Sequence, residues 1–370
     1  MAENVEYIPV EMLHSFMQDV FKGLGTPANE AKISGDVLIA SDLRGIPSHG
    51  VQRLKMYYDR VRNGQHLAVT NFEVVKDDGA TAVIDGHHGN GHVISYRSME
   101  MAIEKAKKYG IGMVTVRNST HYGIAGYYAL QAIKEGCIGI TGTNTRPGVA
   151  PTFGTEPMLG TNPLTFGLPT DEEFPFVLDC ATSIIQRGKV EVYNRENKPL
   201  PEGWVIDRET GEFRTDTSQV LKDLVAKKAA LLPLGGAGED FAGYKGYGYS
   251  TVVEILSAAL QDGKYLNQLS GIGKDGKETN FYLGHFFIAI DVEHFMGLEI
   301  FKKIAGDICR QLRNSQRAPG ADRIYTAGEK EYDSEKIVKE RGVPVNKSIQ
   351  KDLITMRNEL NLSHYRFPFE

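Results

Sequence analysis

The sequence predicts an α/β protein: a mixed-sheet domain inserted into a helical domain that both chain ends build together. Three observations predict it. The first 65 residues carry helical periodicity. From about residue 73, short β-rich runs alternate with helical stretches. After residue 330 charged helical segments return, resembling the N-terminal part more than the middle. Runs close together in sequence near 164–180 point to a mixed rather than a purely parallel sheet. The expected boundaries are 1–72 plus 315–370 for the helical domain and 73–314 for the α/β domain. At 370 residues the chain is too long for one simple core.

Each element has its own signal. "VEMLHSFMQDVFKGLG" is an amphipathic helix that stops at Gly25. "TPANEAKISGDVLIASDLRG" opens a second, with Thr26 as cap and Pro27 at the first helical position. A third is expected from Ser48, a good N-cap residue, to about Asn63-Gly64. On it Val51, Leu54, Tyr58 and Val61 form an apolar stripe, and His49, Arg53 and Tyr57 form a separate stripe. Strands are expected at "ATAVIDG", "GMVTVRN", "IGITGTN", "LTFGLPT", "FPFVLDC" and "FFIAIDVE". Helices fall at "VISYRSMEMAIEKAKKYG", "GIAGYYALQAIKEG", "GYSTVVEILSAALQDG" and "HFMGLEIFKKIAGDICRQLRN". "WVIDRETGEFRT" reads as a hairpin around a Thr-Gly turn, and "DSEKIVKERG" and "SIQKDLITMRNEL" are the closing helices.

Composition narrows the function. Hydrophobic residues at 41% and charged residues at 24% are ordinary for a soluble globular protein. A net charge of −5 without a long basic run makes nucleic acid an unexpected partner. No apolar run approaches a membrane span, and "MAENVEYIPV" lacks the pattern of a signal peptide. Cys137, Cys180 and Cys309 are far apart and odd in number, which fits a reducing, cytoplasmic setting without disulfides or a zinc site. The 40 glycines cluster in loops such as "DGHHGNGH" and "LGGAGEDFAGYKGYGYS", where main chain can approach a sizeable ligand.

Several stretches carry candidate chemistry. "GIGKDG" at 271–276 matches G-x-G-x-x-G in letters only, because no buried strand precedes it and no helix follows; it reads as a surface loop. His87, His88 and His92 form a histidine-rich patch that reads as a structural or cofactor-lining loop rather than a metal site. His121 is expected near a helix N-terminus, where the dipole depresses imidazole basicity; a plain capping role fits equally well. The Thr-Asn pairs at 143–144 and 161–162 are either turn residues or donors to an amide or hydroxyl. Asp179, Thr182 and Ser183 are expected at a strand-to-helix junction suited to phosphate or ribose. Lys245 lies in a Gly-rich approach to a helix without the order of a P-loop.

Together, "SDLRGIPSHGVQRL", "NSTHYGIAGYY", "LGTNPLTFGLPT", "VLDCATS…GKVEVY" and "AGYKGYGYS" resemble the malate/L-lactate dehydrogenases of the second, non-Rossmann type. That family also includes sulfolactate and ureidoglycolate dehydrogenases and diketogulonate and piperideine-carboxylate reductases. The resemblance runs from about residue 5 to 360. It implies an oxidoreductase using NAD or NADP on a fold unrelated to Rossmann, working as a homodimer on a small 2-hydroxy or 2-keto acid, most like malate and oxaloacetate. Lactate- or sulfolactate-type oxidation, or reduction of cyclic imines or diketo sugars, is the alternative. By resemblance Ser48 and His49 supply the proton donor and its orienting hydroxyl, Arg53 takes the substrate carboxylate, and His121 lies against nicotinamide and substrate, as the acid/base in some members. Thr161 and Asn162 are implied substrate contacts. Asn144, Thr145, Asp179, Cys180, Ala181, Lys245, Gly328 and Glu329 are implied cofactor contacts. The aspartate that completes a Ser-His-Asp relay in the reductases matches a place near Glu191.

The chemistry agrees with these types. Oxidising a 2-hydroxy acid needs a fork-shaped cation for the carboxylate, which Arg provides better than Lys. It needs a base that titrates near neutrality, for which His is the natural choice. It also needs a bound hydride acceptor, because no side chain is one.

Overall fold

The computed structural model describes residues 5–273 and 275–370. Lys274, inside the 271–276 stretch, lies outside the described residues. In chain order, β1 (Glu6–Ile8), α1 (Val10–Gly23), α2 (Ala28–Leu43) and α3 (Leu54–Arg62) come first. They lead into β2 (Glu73–Asp78), β3 (Thr81–Asp85), α4 (Gly91–Tyr109), β4 (Ile111–Ser119), α5 (Gly126–Lys134), β5 (Cys137–Thr143), β6 (Leu164–Leu168) and β7 (Phe176–Cys180). Next are α6 (Arg187–Arg195), β8 (Val205–Asp207), α7 (Thr217–Val225), β9 (Ala229–Leu231) and α8 (Gly243–Leu256). The chain finishes with β10 (Leu283–Asp291), α9 (Leu298–Arg313), α10 (Glu329–Arg341), β11 (Val343–Val345) and α11 (Lys347–Glu359).

Seven strands form one mixed sheet in the order β2-β3-β4-β10-β5-β6-β7. Only β3 and β4 run parallel; the other neighbours are antiparallel. β10 is inserted between β4 and β5, although more than a hundred residues separate it from them. This order lacks the repeated parallel crossovers of a Rossmann sheet, whose dinucleotide site lies at a strand-order switch point. Helices α4 and α5 pack on the sheet closely because glycines face them. A Cβ on Gly112 would lie 2.1 Å from the Ala102 carbonyl oxygen, and one on Gly139 would lie 2.8 Å from the Ala132 Cβ.

Apolar burial falls into separate clusters. One joins the two chain ends: Phe16 and Phe21 pack with Leu353, Met356, Tyr365 and Phe367. Phe16 meets Tyr365 and Phe367 edge-on, with centroids 5.1 and 5.2 Å apart. β1 and β11 pair antiparallel and tie the same ends together, two strands too short for sequence periodicity to announce. A second cluster lies between the sheet and α4–α5. A third fills a lobe built on α6, α7, β8 and β9.

Some local expectations are corrected. The helix expected from Thr26 begins at Ala28 with Pro27 as the cap residue and no side-chain cap. The expected 204–215 hairpin is present around the Thr210-Gly211 turn, with Asp207 N–H donating to the Glu212 carbonyl and Arg214 N–H to the Val205 carbonyl; β8 also takes β9 as a partner. The helix expected from Ser48 is α-helical only from Leu54; Pro47–His49 and Val51–Arg53 are two short 3-10 turns. The cause is Gly50, whose backbone is extended (φ −93°, ψ −135°) and packed against Asp42.

Candidate active site

Antiparallel pairing gathers strand ends at one rim of the sheet. Leu283 at the start of β10 faces Ser119 at the end of β4, and His285 faces Thr143 at the end of β5. Leu164 at the start of β6 faces Gly142 on one side and Cys180, the end of β7, on the other. The loops from these ends meet the 46–53 loop and enclose a cleft. His49, His121, Thr145, Thr161, Asp179 and Ala181 line it, all singled out from sequence. Ile46, Ile124 and Leu283 add apolar wall, and Tyr122 and Gln186 also face it. Ile46, Tyr122 and Ile124 belong to stretches that carry the family resemblance but were not singled out, and Leu283 and Gln186 reach the cleft through the fold.

Asp42, at the end of α2, shapes the 46–53 loop. It is 3% exposed, and its Oδ2 accepts the Val51 N–H at 2.8 Å. A Cβ on residue 50 would lie 2.0 Å from its Oδ1, so glycine is required there. Burial raises the Asp42 carboxyl to about 8, with the Val51 N–H opposing. The loop thus sits on a carboxyl that is neutral through most of the physiological range. Arg53 braces the same loop, its Nε donating to the Ser48 carbonyl at 2.7 Å.

The imidazoles of His49 and His121 stack, with centroids 5.6 Å apart and an interplanar angle of 22°. His49 Nδ1 is 2.9 Å from the Ser48 hydroxyl. Burial first, then the Arg53 charge, lowers His49 to about 4. Burial also holds His121 well below its usual value, helped by His49, Arg60 and Arg53. The helix dipole is not the cause, because α5 starts only at Gly126, whose N–H donates to Asp179 Oδ2 at 2.7 Å. That corrects the expected position of His121 at a helix N-terminus.

The hydrogen bonds of His121 fix its tautomer. Its Nδ1 accepts the Gly123 N–H at 3.3 Å and lies 2.5 Å from the Tyr57 hydroxyl. A backbone N–H can only donate, so Nδ1 carries no proton and Tyr57 O–H also donates to it. The Tyr57 oxygen then accepts from His92 Nε2, 2.9 Å away. The chain runs from His92 through Tyr57 to His121, and leaves the proton of neutral His121 on Nε2. His92 and Tyr57 are both buried, and burial lowers His92 to about 3. Of the expected histidine patch, only His92 serves the site: His87 bonds Glu73 at 2.5 Å, and His88 stands edge-on to Tyr282.

A second cleft shares Ile46, Ile124 and Asp179 with the first and continues to Gly328, between Arg44 and Lys330. Asp179 accepts from Thr165 Oγ1 at 3.0 Å as well as from Gly126, and burial raises its pKa. Arg44 makes no carboxylate contact within 4.0 Å among the described residues. Other candidates serve the framework. Asn144 Oδ1 accepts the Gly284 N–H at 2.8 Å. Asn162 Oδ1 accepts the Thr145 N–H at 3.1 Å, and its Nδ2 donates to Glu254 at 2.8 Å, stapling two cleft loops. Thr182 and Ser183 give their hydroxyls to main-chain carbonyls; the strand-to-helix junction from β7 to α6 is there, but residues 181–186 separate the two, so neither hydroxyl lies at the helix N-terminus. Glu329 is buried, accepts the Thr326 N–H and pairs with Arg323. Half-buried Cys180 points its thiol toward the Leu164 carbonyl. Lys245 is exposed on the first turn of α8 and lines neither cleft. Glu191 pairs with Arg187 at 3.0 Å on α6 rather than with Ser48 or His49.

Comparison with known proteins agrees with this geometry. A family model for malate/L-lactate dehydrogenase matches residues 8–354. The malate dehydrogenase of Pyrococcus abyssi is 45% identical over 351 residues, covering 95% of this chain and 94% of that protein. The L-sulfolactate dehydrogenase of Methanocaldococcus jannaschii is 37% identical over 345 residues, covering 93% and 94%. The crystal structure of malate dehydrogenase from Entamoeba histolytica superposes with a TM-score of 0.94 at 44% identity, covering 99% of this chain and all of that one. With a mixed sheet of matching topology and a stacked histidine pair at its rim, the chain belongs to the malate/L-lactate dehydrogenase family of hydroxy acid oxidoreductases.

Proposed function

We propose that this protein interconverts a 2-hydroxy acid and its 2-keto acid with NAD or NADP, malate and oxaloacetate being the favoured pair. The observation that carries the reading is the stacked His49–His121 pair beside Arg53. A nicotinamide dinucleotide fits the donor set: the joined clefts place Thr145, Thr161 and Ala181 near the histidines and Arg44, Lys330 and the Gly328 main chain further along. Arg44 offers a largely buried cation with no carboxylate within hydrogen-bond reach among the described residues, its charge offset only at longer range by Glu331, Glu335 and Asp179; a guanidinium so placed can hold a phosphate. When bound, the nicotinamide supplies the hydride chemistry that side chains lack.

The residues divide the remaining work. Arg53 holds the substrate carboxylate, and that anion offsets the charge that lowers both imidazoles, moving them back toward neutrality. His49, oriented by Ser48, is the proton carrier for the substrate oxygen. His121, with Nε2–H as its donor, orients that oxygen or the nicotinamide amide. The helical residues 1–72 and 315–370 close over residues 73–314, and two chains pair as a homodimer. The test is a panel of oxaloacetate, pyruvate and sulfopyruvate against NADH and NADPH, followed by nicotinamide absorbance. Turnover of none of them refutes the reading, and sedimentation of a fully active monomer refutes the dimer.

A further inference from the structure

We propose that Arg60 and Arg146 form a subsite for a second anionic group on the substrate, a carboxylate or sulfonate on the carbon beyond the keto group. They would thereby select dianionic 2-keto acids over monoanionic ones. The inference rests on the hydroxy acid dehydrogenase reading above and extends it to substrate choice.

Arg60 lies on α3 three residues after Tyr57, so it shares a helix face with the phenol that bonds His121. Its guanidinium carbon is 4.5 Å from the ring centroid of Phe281. Arg146 reaches the same ring from the loop after β5, at 5.5 Å. Phe281 is buried and stands two residues before Leu283, a wall of the cleft. Arg146 directly follows Thr145, which also lines the cleft. Two guanidinium groups from distant segments therefore converge on one aromatic ring, near enough to each other and to the cleft for the Arg146 charge to act on Arg60 and the Arg60 charge to act on His121.

Neither has a counter-ion. Among the described residues, no carboxylate lies within 4.0 Å of Arg60 or Arg146, whereas many other arginines are paired. The ring contributes a cation–π attraction to each, but it does not neutralise them. Arg60 is largely desolvated, and its affinity for its proton is lowered by that burial and by the charges of Arg146 and Arg53. Bringing like charges together out of water is unfavourable, and an anion between them removes the penalty. Arg53 is already engaged by the carboxylate next to the keto group. The cations of the second cleft, Arg44 and Lys330, are available to cofactor phosphates. What remains for Arg60 and Arg146 is a second negative charge on the substrate itself.

The experiment compares wild type, Arg60→Gln, Arg60→Lys and Arg146→Gln on oxaloacetate, sulfopyruvate, pyruvate and 2-oxobutyrate at saturating cofactor. Arg60→Gln should lower kcat/KM for the two dianions by about tenfold or more, chiefly through KM. The monoanions should lose clearly less than the dianions, and a thermal melt close to that of wild type shows that the variant is folded. Arg60→Lys should recover part of the loss, and the more exposed Arg146→Gln should show a smaller effect of the same kind. An equal loss on all four substrates, a change confined to cofactor KM, or no change overturns the subsite. A wild-type enzyme that prefers pyruvate overturns it too, while sparing the dehydrogenase reading. Failure to reduce any 2-keto acid would instead remove that reading, and the subsite with it.

Discussion

Tyr57→Phe deletes one oxygen from the middle of the buried His92–Tyr57–His121 chain. That oxygen lies 2.5 Å from His121 Nδ1 and 2.9 Å from His92 Nε2. The phenyl ring keeps its packing against Phe21 and His92, with centroids 6.3 and 4.6 Å apart. What is lost is hydrogen bonding, and the His92 donor is left without a partner. Leaving a buried group unpaired costs about 1–3 kcal/mol, so Tm should fall by a few degrees. The bond to Nδ1 also holds the tautomer. A neutral hydrogen bond contributes about 0.5–1.5 kcal/mol, which limits the fall in kcat to about two- to tenfold. Cofactor affinity should be unchanged. The sign of the titration is equally specific. Protonated His121 must place an Nδ1–H against the donors at Gly123 and Tyr57, so removing one donor should raise the His121 pKa. Thermal melting, steady-state kinetics and nitrogen NMR of labelled histidine read these effects. A loss beyond about a hundredfold would make Tyr57 a proton carrier in its own right. Unchanged melting, tautomer and kcat would show that the chain plays no part.

His49→Ala should cost about 10²–10⁴-fold in kcat with cofactor binding retained, and a fall below about tenfold would give the proton role to His121. Arg53→Ala should lower kcat/KM by about 10–150-fold, equivalent to about 1.5–3 kcal/mol, with Arg53→Lys recovering only part because the fork and the Nε brace to Ser48 are gone; near-normal kinetics for Arg53→Ala would place the carboxylate elsewhere. Asp42→Asn tests the neutral carboxyl. Folded Asp42 keeps its proton up to about pH 8 while the unfolded chain releases it near 3.8, so the folded state binds more protons between those values and wild-type stability declines as pH rises through them. The Asn variant lacks that decline, so its Tm relative to wild type should climb from pH 4 to pH 8; a constant difference would mean that Asp42 is ionised.

Much of this protein is legible in the sequence because the signals are local. Short β-rich runs announced the core strands from β3 to β7 and β10, and helical periodicity announced α1, α2, α4 and α5, since each reports on residues close by in sequence. Spacing set His49 and Arg53 on one stripe, while the chemical roles expected of Ser48, His49, Arg53 and His121 came from the family resemblance. The conformation of residues 47–53 was not legible, because Gly50 and the Asp42 carboxyl from the preceding helix override a helical pattern that is present in the letters. The three-residue β1 and β11 were invisible, as each is stabilised only by a partner at the other end of the chain.

The sequence by itself determined the alternation of elements, the glycines that allow close packing, and the residue types able to hold a carboxylate and move a proton. Only the tertiary structure decided that β10 enters between β4 and β5 and so builds the rim. It alone brought His92 under Tyr57, set the tautomer of His121, kept Asp42 neutral, and carried Arg60 and Arg146 to one ring. The reason is physical: protonation and hydrogen-bond direction depend on burial and on partners far away in sequence, whereas periodicity and capping depend on residues close by.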